Sequence, residues 1–293
     1  MTSPAGKTLQ TLRAEYHREL ARKLLSWTKK DRSSFPNFAD GSSKNSVLIA
    51  KELCQLLGWR EQFRKISPQQ VGKLFENCTR QFIRQGFAAL AHLRPGTWLY
   101  PTKDTDKEIS RFVQYRHLEQ LASVLREKPD LRSMLGEDYL ITPDIVIARQ
   151  PVADAEINQH FVFLPGGGKH LANLTPFRAV NQSYPILHAC VSCKWTIRSD
   201  RGQSARSEAL NLIRNRKGHL PHIIVVTAEP LPTRIACLAL GTGELDCVYH
   251  IALPELQEVI AALSLQDQAE QLNVLRNGER LRDISDLPFD LAS

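Results

Sequence analysis

An α/β fold, a parallel or mixed sheet flanked by helices behind a helical N-terminal portion, follows from three features of the sequence. Beyond Asp138, short β-branched and apolar runs alternate with amphipathic helical patterns, as in a layered α/β domain. Ahead of that point, apolar residues recur at helical spacing and strand signals are lacking. Composition is that of an ordinary globular chain: 42% hydrophobic and 24% charged residues over 293 positions, enough to bury a core.

Taken in order, residues 8–30 read as a helix, with Leu9, Leu12, Tyr16, Leu20 and Leu24 recurring along it. Residues 36–43 form a polar turn containing Asp40-Gly41-Ser42, and a second helix spans about 44–57. Ser67-Pro68 opens a long helix to about Leu90, with Leu74, Cys78, Phe82 and Leu90 on one face. Gln69 and Glu76, seven apart, share a neighbouring face. A further helix covers about 106–127, so the N-terminal third is expected to be all-helical. Residues 139–148 then read as a strand interrupted by Pro143-Asp144, which implies an edge position or a bulge. A short strand is expected at 161–164. Strands follow at about 186–195, 221–228 and 245–250, and helices at 203–216, 253–264 and 266–276. We read 1–293 as a single domain, mainly helical over 1–137 and α/β over 138–293.

The bulk numbers exclude some classes. No apolar run approaches the roughly 20 residues of a membrane span. Met1 to Lys7 leads into no apolar segment, which argues against a secretory signal and for the cytoplasm. Six cysteines in a chain this long make no disulfide framework, and Cys190-x-x-Cys193 lacks the second pair of a zinc site. Those two thiols read as packing. Gly166-Gly167-Gly168-Lys169 lacks phosphate-loop spacing and reads as a loop. The 38 basic against 31 acidic residues, a net charge of +7, favour a polyanionic partner without requiring one.

Chemistry concentrates around one strand–helix junction. Asp144 lies on one strand, Lys194 at the end of another, and Glu208 on the helix after it. If the strands are neighbours, two carboxylates and a lysine can meet. Carboxylates suit Mg²⁺, which accepts oxygen ligands and retains water. The ion activates water and neutralises phosphate charge, while the lysine stabilises charge in the transition state. That is the equipment of a metal-dependent phosphodiesterase. Between Lys194 and Glu208 stands Arg198-Ser199-Asp200-Arg201. Guanidinium groups donate in pairs to guanine O6 and N7, and a carboxylate accepts from the cytosine amino group. The cluster reads as a G·C code; the plainer alternative is a salt-bridged surface turn.

Nearly the whole chain resembles the NgoMIV-type restriction endonucleases, a branch of the PD-(D/E)xK nuclease superfamily that cuts CCGG-core sites. The resemblance is carried by Ile141-Thr-Pro-Asp144, Ala153-Asp-Ala-Glu-Ile157, Ser192-Cys-Lys-Trp-Thr-Ile-Arg-Ser-Asp-Arg201 and Arg206-Ser-Glu208. It continues through Asn215-Arg-Lys-Gly218, Leu220-Pro-His-Ile223, Thr227-Ala-Glu-Pro230 and Gly241-Thr-Gly-Glu244 to Ile284-Ser-Asp-Leu-Pro288. Asp40-Gly41-Ser42 and Leu74-Phe75-Glu76 extend it towards the N-terminus. The segments 1–35 and 160–185 match least.

The resemblance implies a restriction-endonuclease-like fold and a metal-binding catalytic cluster of Asp144, Lys194, Glu208 and Glu76. Ser192 would stand beside it, with the Cys193 carbonyl as a further ligand. Ser192 replaces the usual acidic residue of (D/E)xK, so Glu208 would supply the missing carboxylate. Arg198, Asp200 and Arg201 would read the inner CCGG, Asp40 and Arg234 the outer G·C pair with Ser42 beside them, and Gln69 the minor groove. The implied activity is Mg²⁺-dependent cleavage of double-stranded DNA at GCCGGC by a homotetramer holding two sites. A cognate methyltransferase would protect host DNA. A palindromic site by itself calls for at least a dimer. Two other classes compete: a DNA-binding protein without catalysis, against which the intact Asp144, Lys194, Glu208 and Glu76 argue, and a nucleotide-binding α/β enzyme, for which the sequence lacks any Gly-x-Gly-x-x-Gly or phosphate loop.

Overall fold

Thr8 starts the first helix, its hydroxyl accepting the Thr11 N–H at 3.1 Å, and α1 runs from Leu9–Lys23. It stops there because the guanidinium of Arg64 occupies the carbonyls of Ala21, Arg22 and Leu25 at 2.6–3.1 Å. The chain then forms a hairpin, β1 (Trp27–Lys30) antiparallel to β2 (Ser33–Pro36). The helix expected over 8–30 is therefore shorter, and the N-terminal third is not all-helical. In this computed structural model the described residues are 7–30, 33–127, 141–165, 171–197, 199–241 and 243–293, without the side chains of residues 30, 126 and 199–203. The glycine-rich run at 166–170 lies outside them.

Ser43 caps α2 (Lys44–Leu56), and a reciprocal Ser67/Gln70 capping box with Pro68 in the first turn starts α3 (Pro68–Ala89). The buried face of α3 carries Val71, Phe75, Cys78, Phe82 and Phe87, so Phe75 takes the place expected for Leu74. Glu76 is on that buried face too. Tyr16 fixes α1 to α3, its hydroxyl 2.9 Å from that of Thr79 and its ring 5.1 Å from Phe82.

The expected helix over 106–127 is broken. Asp104–Lys107 makes one helical turn, Ile109–Arg111 a 3₁₀ turn, and α4 spans His117–Glu127. Tertiary bonds compete with the helix here: Ile109 N–H donates to Ile141 O at 3.1 Å and Val113 N–H to Pro185 O at 3.0 Å. The Gln114 side chain meanwhile bonds both backbone groups of Leu187 at 2.7 and 2.9 Å. A two-residue strand, β3 (Trp98–Leu99), pairs antiparallel with β4 (Ile145–Arg149). Pro143 thus precedes a strand rather than interrupting one, and residues 139–140 of the expected strand lie outside the described residues. No strand forms at 161–164. Asn158 satisfies that backbone instead, accepting from Phe163 and Leu164 N–H and donating to Leu164 O at 2.8–3.0 Å.

The expected alternation follows: β5 (Ile186–Lys194), α5 (Ser199–Asn215), β6 (His222–Thr227), α6 (Pro232–Ala239), β7 (Cys247–His250), α7 (Leu253–Ala262), α8 (Gln266–Asn277), β8 (Leu281–Asp283) and α9 (Leu287–Ala292). The elements α6, β8 and α9 were not expected from the sequence. Six strands form one mixed sheet in the order β3-β4-β5-β6-β7-β8, in which β6, β7 and β8 run parallel. Ile145 to Ala148 of β4 and Ile223 to Val226 of β6 are buried, as in a sheet covered on both faces. The expected mixed sheet flanked by helices is observed. No helix among the described residues is long and apolar enough to cross a membrane.

The chain divides into two compact units. One holds residues 1–93, 191–209 and 223–293, and the other 94–190 and 210–222, so β5 contributes its first half to the second and its last half to the first. Within the first unit, Arg13 of α1 reaches Glu255 on α7 with two bonds of 2.6 Å and Asp283 on β8 with bonds of 2.9 and 3.0 Å. Burial alone would raise the Asp283 carboxyl, but the Arg13 bonds outweigh it and hold the group below its ordinary value.

Removing Arg13 deprives the buried Asp283 carboxylate of this cation, leaving it to the N–H groups of Leu253 and Ser285 and the Ser285 hydroxyl. Arg13→Ala should therefore lower unfolding stability by about 3 kcal/mol, read as a shifted urea midpoint with unchanged slope. A loss below about 0.5 kcal/mol would reduce this network to a surface ion pair.

Candidate functional site

Alternation along the end of β5 sorts its side chains. Val191, Cys193, Trp195 and Ile197 are buried, whereas Ser192, Lys194 and Thr196 are only half-buried. Ser192 and Lys194 therefore share one partly open face. Glu208, on α5 and also half-buried, accepts a hydrogen bond from the Ser192 hydroxyl at 3.2 Å. On the buried side Trp195 packs between Phe38 and Phe75, ring centroids 5.6 and 5.1 Å away, and donates to Asn37 Oδ1 at 3.3 Å. Cys190 and Cys193 are buried free thiols, as expected of packing residues.

Glu76 is 4% exposed on α3, and its carboxylate accepts from Lys73 at 2.9 Å and Arg80 at 3.2 Å on the same helix. Gln69 is exposed in the first turn of α3, seven residues before it. Asp144 belongs to the other unit, half-buried just ahead of β4. Its carbonyl accepts the ammonium of buried Lys107 at 2.9 Å, and that ammonium also pairs with Asp104 at 3.0 Å. Arg198 lies outside the described residues, as do the side chains of Asp200 and Arg201 at the start of α5.

Three of the expected base-reading residues are brought together. Arg234, on α6, is ion-paired with Asp40, and Asp40 accepts from the hydroxyl of Ser42 at 2.7 Å and its N–H at 2.9 Å. The Ser42 hydroxyl first, and Arg234 next, hold the Asp40 carboxyl well below the usual carboxylate range. Behind this pair stands Glu229, 1% exposed, which sequence reasoning did not single out. One of its oxygens accepts the Ile197 N–H at 2.8 Å; the other accepts the Leu231 N–H at 3.3 Å and lies 3.9 Å from Arg234. The only sequence signal for it was its place in Thr227-Ala-Glu-Pro230.

The candidate donor set is chemically suited to a divalent metal. Carboxylates of Asp144, Glu208 and Glu76 and the Cys193 carbonyl are all hard oxygen donors, suited to Mg²⁺. Among the described residues no three His, Cys, Asp or Glu side chains form a ready cage. Mg²⁺ does not require one, since one or two carboxylates with water suffice.

Burial pushes the Glu229 carboxyl up to about 7 from an ordinary 4.5, against the backbone N–H of Ile197 and the charge of Arg234. A raised folded-state value means this group adds stability that is complete below pH 4.5 and lost as pH rises through about 7. Glu229→Gln should remove that slope, so that its stability relative to the wild type rises by about 2–3 kcal/mol from pH 5 to pH 8, whatever constant cost the lost N–H partner adds. Urea midpoints across that range check this, and parallel profiles would refute it.

The family model described as NgoMIV restriction enzyme matches residues 16–293. The chain is also 48% identical over 256 residues to the type II restriction enzyme NgoMIV of Neisseria gonorrhoeae, a match covering 87% of this chain and 88% of that protein. The site residues described above, from Asn37 to Arg234, fall inside the region matched by the family model. The chain therefore belongs to the NgoMIV restriction enzyme family.

Proposed function

We propose that this protein is a type II restriction endonuclease that hydrolyses both strands of double-stranded DNA at the palindrome GCCGGC, with Mg²⁺ as cofactor. The observation that carries the reading is the shared open face of Ser192 and Lys194 with Glu208 bonded to Ser192, on a strand whose other face is locked in the core. Family membership supports site-specific DNA cleavage as the general activity.

In this reading Asp144, Glu208 and Glu76 hold Mg²⁺ with the Cys193 carbonyl. When bound, Mg²⁺ supplies Lewis-acid neutralisation of the scissile phosphate and acidifies water. Lys194 places an ammonium beside the phosphate, where it stabilises the charge that grows as water adds to phosphorus and a deoxyribose oxygen departs. Ser192 fixes the rotamer of Glu208, so that an acidic residue on a helix serves where the superfamily pattern has one on the strand. Arg198, Asp200 and Arg201 read the inner CCGG, Asp40 and Arg234 the outer pair with Ser42 orienting Asp40, and Gln69 the minor groove. The assembly is a homotetramer binding two sites in the bacterial cytoplasm, with a cognate methyltransferase protecting host DNA.

Digestion of a sequenced plasmid with Mg²⁺, followed by end-mapping, tests the whole reading: discrete cuts at GCCGGC are expected, and an intact plasmid would sink it. Lys194→Ala should lose cleavage by at least about 10²-fold while keeping Ca²⁺-supported binding in a gel shift. Arg201→Ala should instead lose specific binding by about 1–3 kcal/mol. Retained cutting in the first variant would remove Lys194 from its role.

A further inference from the structure

Glu229 has no part in the mechanism above, yet it touches both groups of base readers. Ile197 immediately precedes Arg198, where the chain passes into the segment assigned to the inner tetranucleotide. Arg234, the partner of Asp40, belongs to the outer pair. We propose that Glu229 is a positioning residue that couples recognition of the inner CCGG to recognition of the outer base pair, because one buried carboxylate holds the backbone at Ile197 and faces Arg234. This rests on the function proposed above.

The geometry is specific to a carboxylate. Both oxygens are committed to backbone N–H groups, Ile197 at 2.8 Å and Leu231 at 3.3 Å. An amide at this position offers one acceptor and one donor, so one of the two N–H groups would lose its partner. The Glu229 backbone is itself fixed, its N–H donating to the Thr227 hydroxyl at 3.1 Å. With 1% exposure the side chain has no room to turn towards solvent. A shift of Arg234 is thus felt at Ile197 through a single rigid group. The Asp40 turn reaches the same segment by another route, Phe38 packing on Trp195 with ring centroids 5.6 Å apart.

The test compares cleavage rates at GCCGGC, at an outer-pair variant (ACCGGT) and at an inner variant (GCGCGC). It uses the full-length wild type, Glu229→Gln and Arg234→Ala. Coupling predicts that Glu229→Gln lowers the preference for GCCGGC over both variants, by about tenfold each, the scale of one lost reading contact. A merely structural role would slow all three sites alike and leave both preferences at wild-type values, which overturns the proposal. Should Glu229→Gln fail to fold by circular dichroism, Arg234→Ala decides. Coupling requires that this outer reader also lowers preference over the inner variant, and an unchanged inner preference overturns it. A wild type that cuts none of the three sites fails the functional reading itself, and the coupling with it.

Discussion

The two-residue period of β5 is the constraint on which the candidate site depends. Shifting the strand by one residue would turn Lys194 into the core and Cys193 or Trp195 towards solvent. Burying an unpaired ammonium costs several kcal/mol, and exposing Trp195 forfeits its contacts with Phe38 and Phe75, each worth about 0.5–1.5 kcal/mol beyond area. The bond from Trp195 to Asn37 adds a directional restraint that no other register can satisfy. The placement of Lys194, the proposed catalytic lysine, is thus enforced by residues to which no chemistry is assigned.

A second regularity concerns buried acids, each of which has a stated partner of its own. Glu76 has Lys73 and Arg80 on its own helix. Asp283 has Arg13 from α1, and Glu244 has Arg206 at 3.3 Å, a contact so close that a Cβ on Gly241 would meet both side chains within 3.0 Å. Glu229 differs. Its nearest donors are backbone N–H groups, and Arg234 stands farther off at 3.9 Å. That weaker compensation is the reason burial wins there and raises its carboxyl. For Asp283, by contrast, the full charge of Arg13 at hydrogen-bond distance outweighs burial.

Local patterns made much of this legible in advance. The strands at 186–195, 221–228 and 245–250 and the long helix from Ser67-Pro68 carry their own period and caps, and they stand within a residue or two of expectation. What local pattern could not reveal were interruptions imposed from afar. Arg64 ends α1 some forty residues upstream of itself, and Leu187 draws Gln114 out of a helix. Within the site, Ser192 and Lys194 share a face by period alone. Asp40 and Arg234 are 194 positions apart and were joined only through resemblance. Glu229 escaped because Ala-Glu-Pro between a strand and a helix looks like an ordinary polar turn, and nothing in sequence reveals that its side chain is enclosed.

On the proposed function, this enclosure bears on fidelity. A mismatched base pair costs about 1–3 kcal/mol in binding, too little by itself to protect a genome full of near-matches. Discrimination grows if a misread base also disturbs the cutting group. Ile197 is three residues beyond Lys194 on a segment whose alternate side chains are packed, so a displacement at Ile197 has little slack to absorb it before Lys194. A flexible tether between reader and cutter would let each act alone. Under the proposed coupling, a packed segment held by one buried carboxylate would make the rate, and not affinity alone, depend on correct contacts at both parts of the site.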